Sequence, residues 1–121
     1  MRVENFRKYT LYDRSLDLMI AIYRLIDNYA LDPDDRQAKE LYRCAIKIPK
    51  LIASGIGQTN MNVRIKRLNM AKEKLEYLQG AIRFYEKQRH IDNQYLDEIE
   101  DNRIQVIKLM NGYFGWLKEG C

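Results

Sequence analysis

Residues 36–56, RQAKELYRCAIKIPKLIASGI, decide the fold class and also carry the most distinctive charge pattern of the chain. Apolar residues recur along this stretch at the three- and four-residue spacing of one helix face: Ala38, Leu41, Tyr42, Ala45, Ile48, Ile52 and Ile56. Such a period is typical of an amphipathic helix packed against a core. We predict a helix over residues 34–56, capped by Asp32, with Pro33 in its first turn and a local kink at Pro49.

A row of cations lies opposite this apolar face. It consists of residues spaced three or four apart, and we call it the cationic row: Arg36, Lys39, Arg43, Lys47 and Lys50. Phosphates along a nucleic-acid backbone are bound by cations repeated along a rod, so the row predicts a sequence-independent contact with RNA or DNA. The alternative is an ordinary solvated helix face. Only Glu40 is expected to lie close enough to neutralise part of its positive charge. We add Arg64 and Arg67 from the next helix as candidate contacts, although solvation also explains the scattered cations there.

Three further helices are predicted. One precedes this stretch, over residues 10–29, and two follow it, over residues 60–89 and 93–118. Each shows apolar residues at a 3.6-residue period, and Thr59 or Asn60 is a suitable cap for the third helix. Gly80 interrupts the third helix at a cost of about 1 kcal/mol without ending it. Four helices with short connections predict an all-α, antiparallel up-down-up-down bundle that forms a single domain over residues 1–121.

The apolar faces of the first and fourth predicted helices are broader than one core requires. Each spans about half of the helix circumference, whereas a stripe of about 100° is enough to face one core. The surplus indicates a second buried surface. Five tyrosines on apolar faces are predicted to pack in the core or an interface, in preference to stacking on single-stranded nucleic acid: Tyr12, Tyr23, Tyr42, Tyr85 and Tyr113.

Composition argues against several classes of protein. The chain has 121 residues, a formal net charge of +4 and no apolar segment near the ~20 residues of a membrane span. It has no signal-peptide pattern, so we expect a cytoplasmic protein without membrane contact. Cys44 and Cys121 are expected to be free thiols, and the single histidine, His90, to lie in a surface loop.

Catalysis is not expected. Four-helix bundles can hold di-iron sites built from glutamates and Glu-x-x-His pairs, but the spacing of Glu86 and His90 is one residue too long and has no second copy. No catalytic residue, metal ligand or cofactor-binding residue is therefore assigned, and no cofactor is expected.

One compact motif and the end of the chain resemble a known group of proteins. The motif is Ile48-Pro49-Lys50-Leu51-Ile52-Ala53-Ser54-Gly55, and the ending is Gly115-Trp116-Leu117-Lys118. Both are similar to the intervening-sequence-encoded four-helix-bundle proteins of bacterial large-subunit rRNA genes and to the related accessory proteins of diversity-generating retroelements. The first branch usually has Asn and Glu where this chain has Leu51 and Ser54. These two departures favour the retroelement branch, as do the aromatic ending and the basic second helix.

This resemblance implies a ring-shaped homopentamer that binds RNA or DNA and docks a partner reverse transcriptase without being an enzyme itself. A pentamer would cover the surplus apolar faces, and the residues assigned to its interface are Leu11, Leu18, Leu25, Phe114 and Trp116. The alternative is a structural or adaptor bundle of the rRNA-intervening-sequence type, without specific nucleic-acid binding. In that case the cationic row is a solvated or protein-docking face.

Overall fold

The computed structural model describes residues 3–118, and the side chains of residues 5–118. Four helices account for most of this range: α1 (Val3–Tyr29), α2 (Arg36–Ile56), α3 (Met61–Glu86) and α4 (Asn93–Lys118). The prediction of an all-α chain with four helices is confirmed. Helix α1 begins seven residues earlier than predicted, because the polar N-terminal stretch extends the helix beyond its core-facing part. Cys121 lies outside the described residues.

The caps correct one prediction and confirm another. Asp35, and not Asp32, caps α2, since its carboxylate accepts a hydrogen bond from Ala38 N at 3.2 Å. Asp32 instead accepts a hydrogen bond from Asp34 N at 2.8 Å within the preceding turn. Asn60 caps α3 by accepting from Val63 N at 3.2 Å. Both caps satisfy amides that the first helical turn leaves without partners.

The helices pack around one core, with α1 and α3 each lying against both α2 and α4. The core is built from aliphatic side chains of all four helices together with Tyr85 and Tyr113, which are almost fully buried. Helices α2 and α3 pack most closely. Gly55 marks their contact, because a Cβ there would lie 3.1 Å from Leu68 Cγ and 3.3 Å from the carbonyl oxygen of Arg64. The glycine that ends the Ile-Pro-x-x-Ile-Ala-x-Gly motif is therefore a packing residue.

One end of the bundle is held together by Arg89, just after α3. Its guanidinium donates to Asp35 Oδ2, to Gln37 Oε1 at 2.8 Å and to the carbonyl oxygens of Tyr29 and Tyr85 at 3.2 and 2.8 Å. It also lies 3.7 Å from the centre of the Tyr85 ring, at cation–π distance. The hydroxyl of Tyr29 accepts from Asp92 N at 3.1 Å, just before α4. This polar cluster, the Arg89 cluster, thus ties α1, α2 and α3 together beside the start of α4.

A second buried arginine bridges the middle of the contact between α3 and α4. This contact is the loosest of the helix contacts. Arg103 of α4 donates to the carbonyl oxygen of Leu75 at 3.3 Å and makes a two-pronged ion pair with Glu100 at 2.7 and 2.9 Å. The hydrogen bond from Arg103 lowers the pKa of Glu100. A paired guanidinium can be buried here because its donors have acceptors.

Candidate nucleic-acid interface

The cationic row lies on the outer face of α2, as its spacing predicts. Leu41, Ile48 and Ile52 turn the opposite face into the core, so all five cations of the row are exposed. From Arg36 to Lys50 the row rises along about 21 Å of helix at 1.5 Å per residue. Exposed cations at this spacing can contact several phosphates of one strand at once.

Within residues 5–118, most of the row has no acidic partner. Lys39 Nζ lies 3.5 Å from Asp34 Oδ1, and both side chains are exposed, so the pair contributes little to stability. Asp34, and not the predicted Glu40, is therefore the carboxylate at the row. Among the described residues, no carboxylate lies within ion-pair distance of the other four members, Arg36, Arg43, Lys47 and Lys50. Their charges remain available to a polyanion.

Arg67 of α3 lies at the C-terminal end of the row. Its guanidinium donates to Ser54 Oγ, and Ser54 follows Lys50 by one helical turn on the same face of α2. The predicted candidate Arg67 is thus brought to the cationic row. Its position depends on the pairing of α2 with α3, which the sequence pattern alone does not give.

Arg64 corrects a prediction. It is buried, donates twice to the carbonyl oxygen of Gln58 at 2.6 and 3.0 Å, and donates to the hydroxyl of Tyr113 at 3.2 Å. A guanidinium held by these acceptors joins the α2–α3 turn to α4. Its role in the structure is internal, so we withdraw it as a phosphate contact.

Lys74, one of the scattered cations of α3, lies near the row. The thiol of Cys44 lies between α2 and α3, 3.8 Å from the carbonyl oxygen of Lys74. Burial raises the pKa of this thiol, and the charges of Lys74 and Lys47 partly oppose that rise, which places both ammonium groups near it. Lys74 therefore widens the basic surface from α2 onto α3. The contact between Cys44 of α2 and Lys74 of α3 is the signal that identifies Lys74 as part of this surface.

The two halves of the bundle differ in charge. Helix α2 has five basic residues and one acidic residue, a net charge of +4, and α3 has six and three, a net charge of +3. Helix α1 has four of each, and α4 has three basic and four acidic residues, a net charge of −1. Because α2 and α3 pack together, the positive charge of the chain is concentrated on one side of the bundle.

The predicted oligomer-interface residues fall into two groups. Leu11, Leu18 and Leu25 are 0%, 1% and 0% exposed within the single chain, so they have no free surface for a second subunit. Their assignment to an interface was wrong: they form the core face of α1. Phe114 and Trp116 are half-buried against the core, and Trp116 stacks on Tyr113 with ring centres 6.1 Å apart.

Large apolar side chains are exposed elsewhere. On α3, Met70, Tyr77 and Phe84 recur every seven residues and are all exposed, as are Phe6 and Tyr9 near the start of α1. A seven-residue repeat keeps side chains on one helix face. The exposed apolar surface thus lies mainly on α1 and α3, whereas the sequence predicted the surplus on the first and fourth helices.

Over residues 3–118, no group of three or more His, Cys, Asp or Glu side chains is placed to hold a metal ion. His90 is exposed in the α3–α4 connection, as predicted. None of the described helices is both long and apolar enough to cross a membrane.

The fold and its charged face define a four-helix bundle with one basic side. A family model described as "23S rRNA-intervening sequence protein" matches residues 7–112. The chain therefore belongs to the 23S rRNA-intervening sequence protein family. No curated protein and no solved structure matches the chain. The membership agrees with the first of the two related groups that the sequence resembles, and the link to retroelement accessory proteins stays a prediction.

Proposed function

We propose that this protein is a non-enzymatic nucleic-acid-binding accessory protein of the cytoplasm, which contacts RNA or DNA phosphates through the cationic row. The observation that carries the proposal is the row itself: four exposed cations without a described acidic partner, extended by Arg67. Carboxylates three or four residues away from the cations would stabilise a helix face that was merely solvated. Helix α2, however, contains only one acidic residue.

Assembly and partner binding complete the proposal. We infer an antiparallel up-down-up-down bundle, which the short connections favour. We also infer a homo-oligomer, as the resemblance implies, with the exposed apolar residues of α1 and α3 as contact surfaces. Repeating the basic face in a ring would raise the local charge and strengthen binding to a polyanion. A reverse transcriptase is the enzyme partner that the resemblance to retroelement accessory proteins implies.

The decisive experiment removes charge from the row. The triple variant Arg43→Gln, Lys47→Gln, Lys50→Gln should bind a labelled RNA of about 20 nucleotides more weakly. It should also reduce the slope of log affinity against log salt by about 2, roughly 0.7 for each lost phosphate contact with a single strand. Affinities are measured by fluorescence anisotropy over a salt series, with light-scattering mass on the same fractions to verify that assembly is unchanged.

A matched control carries the same change in net charge on the other side of the bundle. Arg14→Gln, Arg24→Gln, Lys108→Gln alters exposed cations of α1 and α4 and should leave the salt slope almost unchanged. Equal losses in both triple variants would show that total charge, and not the row, governs binding. An unmodified protein that fails to bind RNA and duplex DNA at low salt would refute the proposal and leave the structural or adaptor role.

A further inference from the structure

We propose that the cleft between α1 and α2, beside the cationic row, binds an unpaired base of single-stranded nucleic acid. This inference rests on the nucleic-acid binding proposed above and narrows it from any polyanion to single strands. It begins with two tyrosines that were expected to pack away from solvent. Tyr23 of α1 and Tyr42 of α2 are 54% and 39% exposed.

The two rings form an aromatic wall. Their centres are 6.2 Å apart and their planes meet at 62°, an edge-to-face pair that fixes each ring against the other. A ring held in this way can stack on a planar base without losing much side-chain freedom on binding. Stacking is insensitive to base identity because every base has an aromatic face.

The cleft has room for a base. Its volume is about 580 Å³, and its lining includes Tyr23, Tyr42, Ile26 and Ala38. Ligand pockets of small molecules have volumes of about 300–1,000 Å³ and mainly apolar walls with a few polar groups. The cleft fits that description.

The charged groups of the cleft determine which part of a nucleotide enters. Three carboxylates line it: Asp27, which makes no hydrogen bond or ion pair with any described residue, Asp32, which accepts from Asp34 N, and Asp35, which is held by Arg89. Carboxylates repel phosphate but accept hydrogen bonds from base N–H groups. The base therefore enters the cleft, and the phosphates remain outside.

Lys39 connects the cleft with the cationic row. It lines the cleft and is also a member of the row, and Arg43 directly follows Tyr42 along α2. A strand whose phosphates follow the row thus passes the cleft opening at Lys39. A duplex keeps its bases paired and stacked, so it can contact the row but cannot place a base in the cleft.

The test compares single strands with duplexes. Tyr42→Ala should weaken binding to a labelled RNA of about 20 uridines by about 5- to 100-fold, the range for one lost stacking contact, and leave duplex binding and the salt slope unchanged. Tyr42→Phe keeps the ring and should bind almost as the unmodified protein does. Ile104→Ala, which removes a large apolar side chain of α4 that is 37% exposed and lies away from the cleft, is the matched control for Tyr42, which is 39% exposed.

A second measurement examines the carboxylate. Guanine presents two adjacent N–H donors on its pairing edge and uracil one, so a single guanine within the uridine strand should raise affinity. Asp27→Asn should remove that gain without affecting the uridine strand. If Tyr42→Ala loses helix content by circular dichroism, Tyr42→Leu replaces it, since leucine is bulky and lacks an aromatic face.

The outcomes separate this inference from the proposed function. Salt-dependent binding that Tyr42→Ala leaves unchanged would overturn base stacking while the role of the cationic row remains. Equal losses on single strands and duplexes would also overturn it. If the unmodified protein binds neither the single strand nor the duplex, both the inference and the proposed nucleic-acid binding are refuted.

Discussion

The buried arginines and the cationic row use the same kind of side chain in opposite ways. Arg64, Arg89 and Arg103 are buried and donate to carbonyl oxygens of other segments. The cations of the row are exposed, and four of the five have no described acidic partner. The first group therefore stabilises the bundle, and the second leaves its charge available outside it. Position relative to the core, and not residue type, separates the structural cations from the candidate binding cations.

The largest expected effect comes from Arg89. Arg89→Ala leaves the carboxylate of Asp35 buried without a counterion, and breaking a buried ion pair in this way costs about 3–5 kcal/mol. Urea unfolding followed by circular dichroism measures the change. Lys87→Ala, an exposed neighbour, should stay within about 0.5 kcal/mol of the unmodified protein. A loss for Arg89→Ala as small as that of the control would contradict the structural role of the Arg89 cluster.

Asp35 should make stability depend on acid pH. Its burial raises the pKa, but hydrogen bonds from Leu31 N, Arg89 and Ala38 N and the charge of Arg89 outweigh that effect, so the pKa lies below its usual value. A lowered pKa in the folded state contributes stability above the unfolded pKa of about 3.9, and this contribution is lost as pH falls through the folded value.

Asp35→Asn removes this dependence while keeping a capping side chain. We expect the variant to be about 1–3 kcal/mol less stable near neutral pH and the difference to shrink below about pH 4. Glu100, whose pKa is also lowered, is present in both proteins, so its contribution cancels in the comparison. A difference that stays constant down to acid pH would argue against an ionised Asp35 in the cluster.

Arg103 should have a smaller effect. Arg103→Ala removes the bridge from α4 to the carbonyl oxygen of Leu75, and Glu100 can then turn to solvent because 38% of its side chain is exposed. We expect a loss of about 1–2 kcal/mol in the free energy of unfolding. Arg83→Ala, an exposed arginine of α3, is the control, and equal losses for the two would contradict the bridging role.

The smallest effect on stability should come from the row. The triple variant Arg43→Gln, Lys47→Gln, Lys50→Gln should unfold within about 0.5 kcal/mol of the unmodified protein, because exposed charges without partners contribute little. Its nucleic-acid affinity, in contrast, should fall clearly. A large loss of stability in this variant would remove the distinction between the two groups of cations.

Apolar spacing was sufficient to predict the four helices, because each helix buries one face and repeats it every 3.6 residues. It could not predict which cations become buried. Arg64 and Arg67 are three residues apart on α3, yet one is internal and the other lies beside Ser54, and only the pairing of α2 with α3 separates them. The leucines of α1 failed as interface residues for a related reason: a broad apolar face does not reveal which part of it the chain itself covers.

The Arg89 cluster also has a consequence for the order of events during synthesis. Arg89 follows Asp35 by 54 residues, so at about 5–20 residues per second it leaves the ribosome about 3 to 11 s later. During that interval α1 and α2 cannot close around Asp35 without burying an uncompensated carboxylate. Until Arg89 arrives, three residues after the end of α3, the first two helices lack the counterion that their closed arrangement in the folded chain contains.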